Sequence, residues 1–234
     1  MIEIRNVTKK YGDKKAIDDI SFKVETGEIF AFIGHNGAGK TTLIKAMVGI
    51  HDFDEGDILI DGKSIKTNPI ECKKKIAYIP DNPELYENMK AIDYINFICD
   101  MYEIPASKRG ATIMKYAKMF EIEDALMSPI NSFSHGMKQK VALISALAHE
   151  PKVLIMDEPF VGLDPKAIFD MKELMRDMVE HGGTIFFSTH ILDMAEKLCT
   201  RVAIVKKGKL IKVGSMKSVK GDKSLEKVFL ELEK

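Results

Sequence analysis

No sign of charge dominates this chain of 234 residues: 35 lysines and arginines balance 35 aspartates and glutamates, a formal net charge of zero. Without a global field to draw it to nucleic acid or an anionic membrane, no nucleic-acid partner is expected. Cysteine is scarce. Cys72, Cys99 and Cys199 lie far apart and show none of the paired spacing of a zinc site or a disulfide framework, so they read as reduced cytosolic thiols. Met1-Ile2-Glu3-Ile4-Arg5 lacks the charged start and apolar stretch of a signal peptide, and no run approaches the ~18 apolar residues a membrane helix needs. Any membrane link is therefore expected to run through a partner. Internal repeats, low-complexity segments and an Asn-Lys-x-Asp guanine-reading motif are also missing, which argues against a GTPase. With 45% hydrophobic residues the chain can still build an ample core.

The most informative stretch present is Gly34-His35-Asn36-Gly37-Ala38-Gly39-Lys40-Thr41-Thr42, directly after the apolar run Ile29-Phe30-Ala31-Phe32-Ile33. It reads as a phosphate-binding loop between a buried strand and a helix. The glycines let the backbone turn its amides inward, the amides and the helix N-terminus face phosphate, Lys40 reaches the β/γ oxygens and Thr41 ligates Mg²⁺. A nucleoside triphosphate is the expected ligand.

Around this loop the pattern is first β-rich, with Ile2, Ile4 and Val7 alternating, Phe22 and Val24 in a second strand, and Ile58-Leu59-Ile60 entering a turn at Asp61-Gly62. Ile76-Ala77-Tyr78-Ile79 is a further strand, closed by Pro80. From about Pro83 to Glu150 the apolar residues recur at helical spacing, which predicts a helical lobe inserted in an α/β core. Val153-Leu154-Ile155-Met156 resumes the core as a strand buried on both faces. Asp164 as N-cap before Pro165 then opens a helix that runs to about His181 and stops at Gly182-Gly183. A strand at Thr184 to Ser188, a helix at Ile191 to Leu198 and a strand at Val202 to Val205 follow, the alternation of a doubly wound sheet. The lysine-rich stretch from Lys212 to Lys223 reads as a solvated connection to one last helix.

Asp157-Glu158 ends the strand that begins at Val153, where a phosphate-loop fold places its metal and water chemistry. Asp157 is suited to hold Mg²⁺, and Glu158 to take a proton from water attacking the γ-phosphate. His190, after the strand ending at Ser188, is placed to donate a hydrogen bond to that phosphate.

Between these motifs, Asn131-Ser132-Phe133-Ser134-His135-Gly136-Met137-Lys138-Gln139-Lys140 resembles the signature motif of ABC-transporter ATPase subunits, usually written Leu-Ser-Gly-Gly-Gln. The resemblance covers nearly the whole chain. Tyr11-Gly12 matches the family's adenine-stacking loop, Gly34 to Thr42 its phosphate loop, and Tyr78-Ile79-Pro80-Asp81 its glutamine loop. Val153 to Pro159 matches the Mg²⁺ and base strand, Gly162-Leu163-Asp164-Pro165 the dimer-contact loop, and His190 the switch histidine.

That resemblance implies a phosphate-loop NTPase core with a mostly parallel sheet over residues 1–82 and 148–210, an N-terminal antiparallel β subdomain, a helical lobe at 83–147 and an extension at 211–234. It implies ATP and Mg²⁺ as cofactors. Tyr11, Gly34 to Thr42, Ser134 and Gly136 would contact nucleotide, Thr41, Asp81 and Asp157 the metal, and Glu158, His190 and Lys40 would be catalytic. One phosphate loop and one signature per chain imply half of a head-to-tail dimer, homodimeric or paired with a related subunit. The implied role is a cytoplasmic ATPase, peripheral to the inner face of the membrane, that drives an integral membrane subunit docked near Asp81 and the lobe. With the chain ending soon after Val205, the extra regulatory domain that many sugar-importer subunits carry is not expected, and Ser224 to Leu230 resembles the closing helix of export-type subunits, so export is expected. The alternative is a soluble ABC ATPase acting on a non-membrane partner.

Two of these motifs depart from the family pattern. His135 replaces the first signature glycine and Met137 its glutamine, while Ser134 and Gly136 are kept, so phosphate binding is expected to survive. Asp81 stands where the family has glutamine; its carboxylate can still ligate metal but cannot donate to water, so altered hydrolysis or coupling is expected.

Overall fold

Period-two burial builds the first hairpin: β1 (Ile2–Tyr11) buries Ile2, Ile4 and Val7, and β2 (Lys14–Val24) buries Ile17, Ile20, Phe22 and Val24. The next strand abandons alternation. All five residues of β3 (Ile29–Ile33) are buried, the pattern of a strand covered on both faces. After α1 (Lys40–Met47) come β4 (Glu55–Ile60), the short β5 (Lys63–Ser64), α2 (Pro69–Lys73) and β6 (Ile76–Ile79). The computed structural model describes residues 1–233 and divides them into two compact units: Met1–Tyr78, Lys152–Pro159 and Met175 onward form the first, Ile79–Pro151 and Phe160–Leu174 the second.

The second unit holds α3 (Ala91–Met101), α4 (Ala106–Met119) and α5 (His135–Leu147), joined by short 3₁₀ turns. It takes Phe160–Leu174 as well, residues that periodicity groups with the core. Lys166 explains part of this, because it pairs with Glu121 at 3.2 Å, and Lys140 of α5 pairs with Asp164 at 3.5 Å. Non-local ion pairs of this kind leave no trace in hydrophobic spacing.

In the first unit the chain continues through β7 (Val153–Asp157), the second half of α6 (Pro165–Glu180), β8 (Thr184–Thr189), α7 (Leu192–Leu198) and β9 (Arg201–Lys206). Then follow β10 (Lys209–Ser215), α8 (Met216–Lys220) and α9 (Leu225–Glu233). The stretch from Lys212 to Lys223 is thus not a solvated connection: it completes an edge strand antiparallel to β9 and forms a short helix. Most β10 side chains face solvent, so its backbone ladder carries the pairing, and lysine suits a sheet edge.

Two sheets result, a four-stranded antiparallel one ordered β2-β1-β4-β5 and a six-stranded one ordered β10-β9-β3-β8-β7-β6. Stacked phenylalanines join them. Phe22 of β2 lies 5.2 Å from Phe30 at an interplanar angle of 3°, and Phe186 of β8 stacks on Phe30 at 5.8 Å. Each ring fully buried contributes roughly 1.5–3 kcal/mol. Cys72, Cys99 and Cys199 are separate buried thiols, and burial pushes each above the usual thiol range. No helix among the described residues is long and apolar enough to cross a membrane.

Candidate active site

Parallel register sets the site. Ile33 of β3 lies beside Thr189 of β8, and Ser188 beside Asp157 of β7, so the carboxyl ends of three neighbouring strands finish level. The phosphate loop, the Asp157-Glu158 pair and His190 therefore emerge side by side, at the edge where open α/β sheets bind ligands.

The loop itself depends on glycine at specific points. Gly37 and Gly39 adopt φ of 79° and 108°, and a Cβ on Gly34 would sit 2.6 Å from the Val205 carbonyl oxygen. The Gly208 N–H donates to the Ala38 carbonyl at 2.9 Å and the Ala38 N–H to the His35 carbonyl at 3.1 Å, which pins the loop. Gly39 is the N-cap of α1, so no side chain caps that helix, and its first turn carries no acid. The amide donors and positive dipole end are left for an anion. Lys40, 6% exposed, donates to the Gly34 carbonyl at 2.8 Å.

Asp157, 3% exposed, accepts from Thr41 Oγ1 at 2.6 Å through one carboxylate oxygen and from Ser188 Oγ through the other. Next to it Glu158 has φ of 49°, a left-handed conformation that costs a side-chain-bearing residue of order 1–3 kcal/mol and clusters at functional sites. This turn sends the Glu158 carboxylate back over the loop. Its Oε2 accepts from the His190 N–H at 3.2 Å and meets His190 Nδ1 at 2.9 Å; Oε1 stands 3.2 Å from Lys40 Nζ. Oε1 is thus ion-paired with Lys40 without a hydrogen bond. Because an ionised carboxylate only accepts, Nδ1 carries the proton in the His190 contact, and the neutral ring then presents an acceptor at Nε2. Donation from Nε2 to a phosphate requires the imidazolium form, or release of Nδ1 from Glu158.

Lys40, Thr41, Asp157, Glu158 and His190 are thus joined in one contact network. Tyr11 stands at the β1–β2 turn, 48% exposed, with its hydroxyl 3.4 Å from His51 Nδ1, so much of its ring is accessible. Asp81, Ser134 and Gly136 belong to the second unit. There Ser134 caps α5, its Oγ accepting from the Met137 N–H at 3.3 Å. Gly136 lies against the Gly162 carbonyl, and the His135 ring packs on Gly162. The Ala167 N–H, with Lys140 nearby, holds the Asp164 carboxyl below its ordinary range.

Sequence reading missed Ser188 as a site residue. Its signal is a hydroxyl inside the buried apolar strand Thr184–Thr189, but only the register reveals that it faces Asp157.

Gly162 yields a first test. At φ of 79°, with a Cβ that would fall 2.7 Å from His135 Cδ2, Gly162→Ala is expected to destabilise the fold by about 1–2 kcal/mol. In a thermal melt that is a drop of about 2–8 °C, part of which His135→Gly should restore by removing the ring. A melt unchanged by Gly162→Ala would refute the packing.

The ABC transporter family model matches residues 17–161. The uncharacterized ABC transporter ATP-binding protein YhcH of Bacillus subtilis is 36% identical, across all of this chain and 75% of its own length. Nod factor export ATP-binding protein I of Burkholderia orbicola is 31% identical, across 92% of this chain and 70% of its own. A solved ATP-binding subunit of an ABC transporter superposes with a TM-score of 0.96 at 33% identity, covering the whole of both chains. With the loop, the Asp157-Glu158 carboxylates and His190 arranged on that shared fold, the chain belongs to the ABC transporter family, as an ATP-binding subunit that hydrolyses ATP to energise transport.

Proposed function

We propose that Glu158 is the general base of this ATPase, that Lys40 and the loop amides hold the β- and γ-phosphates, and that hydrolysis drives a separate membrane-spanning exporter subunit. The observation that carries the chemistry is the Glu158 carboxylate held between Lys40 and His190. Water attacks the γ-phosphorus as its proton passes to Glu158, the bond to the β-phosphate oxygen breaks, and ADP and phosphate leave. Lys40 offsets charge on the transferred group, and His190 in its imidazolium form donates to it.

Mg²⁺ fits the residues present. Thr41 Oγ1 and Asp157 Oδ2 are hard oxygen donors 2.6 Å apart. Among the described residues no cluster of three or more His, Cys, Asp or Glu side chains would hold a metal by itself. One carboxylate and one hydroxyl suit a cation that takes its other ligands from phosphates and water. Bound there, Mg²⁺ would supply charge neutralisation at the β- and γ-oxygens.

Among solved relatives, one ABC transporter cassette is dimeric and another is part of a larger ABC transporter complex. In this chain Ser134 and Gly136 are proposed to complete the γ-phosphate site of a second copy, since the start of α5 offers a hydroxyl and helix amides to an anion. Export is the proposed direction, supported by the relative named for Nod factor export, and the proposed location is the inner face of the membrane. Affinity purification of the tagged chain from detergent-solubilised native membranes should recover an integral membrane protein with it. Recovery only from the soluble fraction, with no such partner, would overturn the membrane role and favour a soluble ABC ATPase.

A further inference from the structure

We infer that the C-terminal helix α9 braces the phosphate loop, with Phe229 as a positioning residue for nucleotide binding. Phe229, 5% exposed, places its ring centroid 4.8 Å from that of His35 at an interplanar angle of 63°, an edge-on contact with the loop itself. His35 is the second residue of the loop, just ahead of the left-handed Gly37, so a ring lodged against its side chain restrains the segment whose amides must face phosphate.

The helix that supplies Phe229 is anchored at both ends to site elements. Near its C-terminus, Lys206 Nζ of β9 donates to the Leu232 carbonyl at 3.1 Å. Two residues beyond Lys206, the Gly208 N–H donates to the Ala38 carbonyl, so one strand end holds both the helix and the loop. At the helix N-terminus, Glu196 Oε2 accepts from the Leu225 N–H at 2.8 Å while Oε1 accepts from Lys220 at 2.7 Å. Those two donors, Lys220 first, hold the Glu196 carboxyl below its ordinary range. Glu196 lies on α7, the helix that follows His190. The helix α9 therefore ties the loop at His35 to the helix that follows His190, and a rigid brace of this kind lowers the ordering cost of binding phosphate.

The test is a double-mutant cycle on the full chain, titrated with trinitrophenyl-ATP in the absence of Mg²⁺, with thermal melts recorded alongside. Phe229→Ala and His35→Ala are each expected to weaken binding about fivefold, and the double variant no further than the weaker single. Phe229→Tyr should keep parental affinity, and kcat at saturating ATP should stay within about twofold for Phe229→Ala, giving a KM effect without a kcat effect. If Phe229→Ala fails to fold, Phe229→Leu keeps buried apolar volume, loses the ring edge and serves in its place. Parental affinity in a folded Phe229 variant that lacks the ring, or multiplicative losses in the double variant, would overturn the brace.

Discussion

Glu158→Gln should lower kcat by about 10²–10⁴-fold while leaving ATP affinity within about threefold of the parent. An amide preserves the shape of the side chain but cannot take a proton from water. Its backbone cost is unchanged, since Gln occupies the left-handed conformation at φ of 49° no less readily than Glu. The variant's contacts also follow from the geometry. An amide oxygen can face Lys40 or the His190 backbone N–H but not both, so the NH₂ group meets a donor in either orientation and the variant loses one of the carboxylate's contacts. Unhydrolysed ATP should then hold two copies together, visible as an ATP-dependent dimer in gel filtration, whereas an isolated parental monomer is expected to bind nucleotide and hydrolyse it poorly. Retention of more than a tenth of parental kcat would place the base elsewhere.

Lys40→Met should weaken nucleotide binding itself. The ammonium supplies charge-assisted hydrogen bonds worth about 1.5–3 kcal/mol, so affinity for ATP is expected to fall by about 10–100-fold in a direct titration. Stability should fall as well. Lys40 and Glu158 have side chains only 6% and 11% exposed, and without the cation the Glu158 carboxylate keeps its His190 partners but loses its counter-charge. A cost of about 1–3 kcal/mol follows, partly offset by the methionine packing where the lysine stem lay. The two substitutions thus separate along one contact: Glu158→Gln binds without turnover, and Lys40→Met fails before turnover. Tight ATP binding by Lys40→Met would refute the assignment of the loop.

What was readable before folding was local. The phosphate loop needs glycine at fixed offsets and a following helix, and Gly34, Gly37, Gly39 and Lys40 meet that need within one turn of chain. Strands β3, β7 and β8 are covered on both faces, which forces near-continuous apolar runs, and the cap pair Asp164-Pro165 marks a helix start by its own chemistry. Strand β10 escaped reading because an edge strand buries little, so lysine-rich composition outweighed a ladder that only backbone atoms make.

By itself the sequence determined that this protein binds a nucleoside triphosphate, carries a metal-type aspartate followed by a candidate base, and pairs an α/β core with helices, because each of those properties resides in contiguous residues. The tertiary structure alone decided which side chains meet. Strand register carried Ser188 to Asp157, a left-handed turn swung Glu158 between Lys40 and His190, and the closing helix brought Phe229 to His35, residues 194 positions apart by their numbers. Such contacts depend on sheet order and on where a returning helix docks, and no local propensity encodes either.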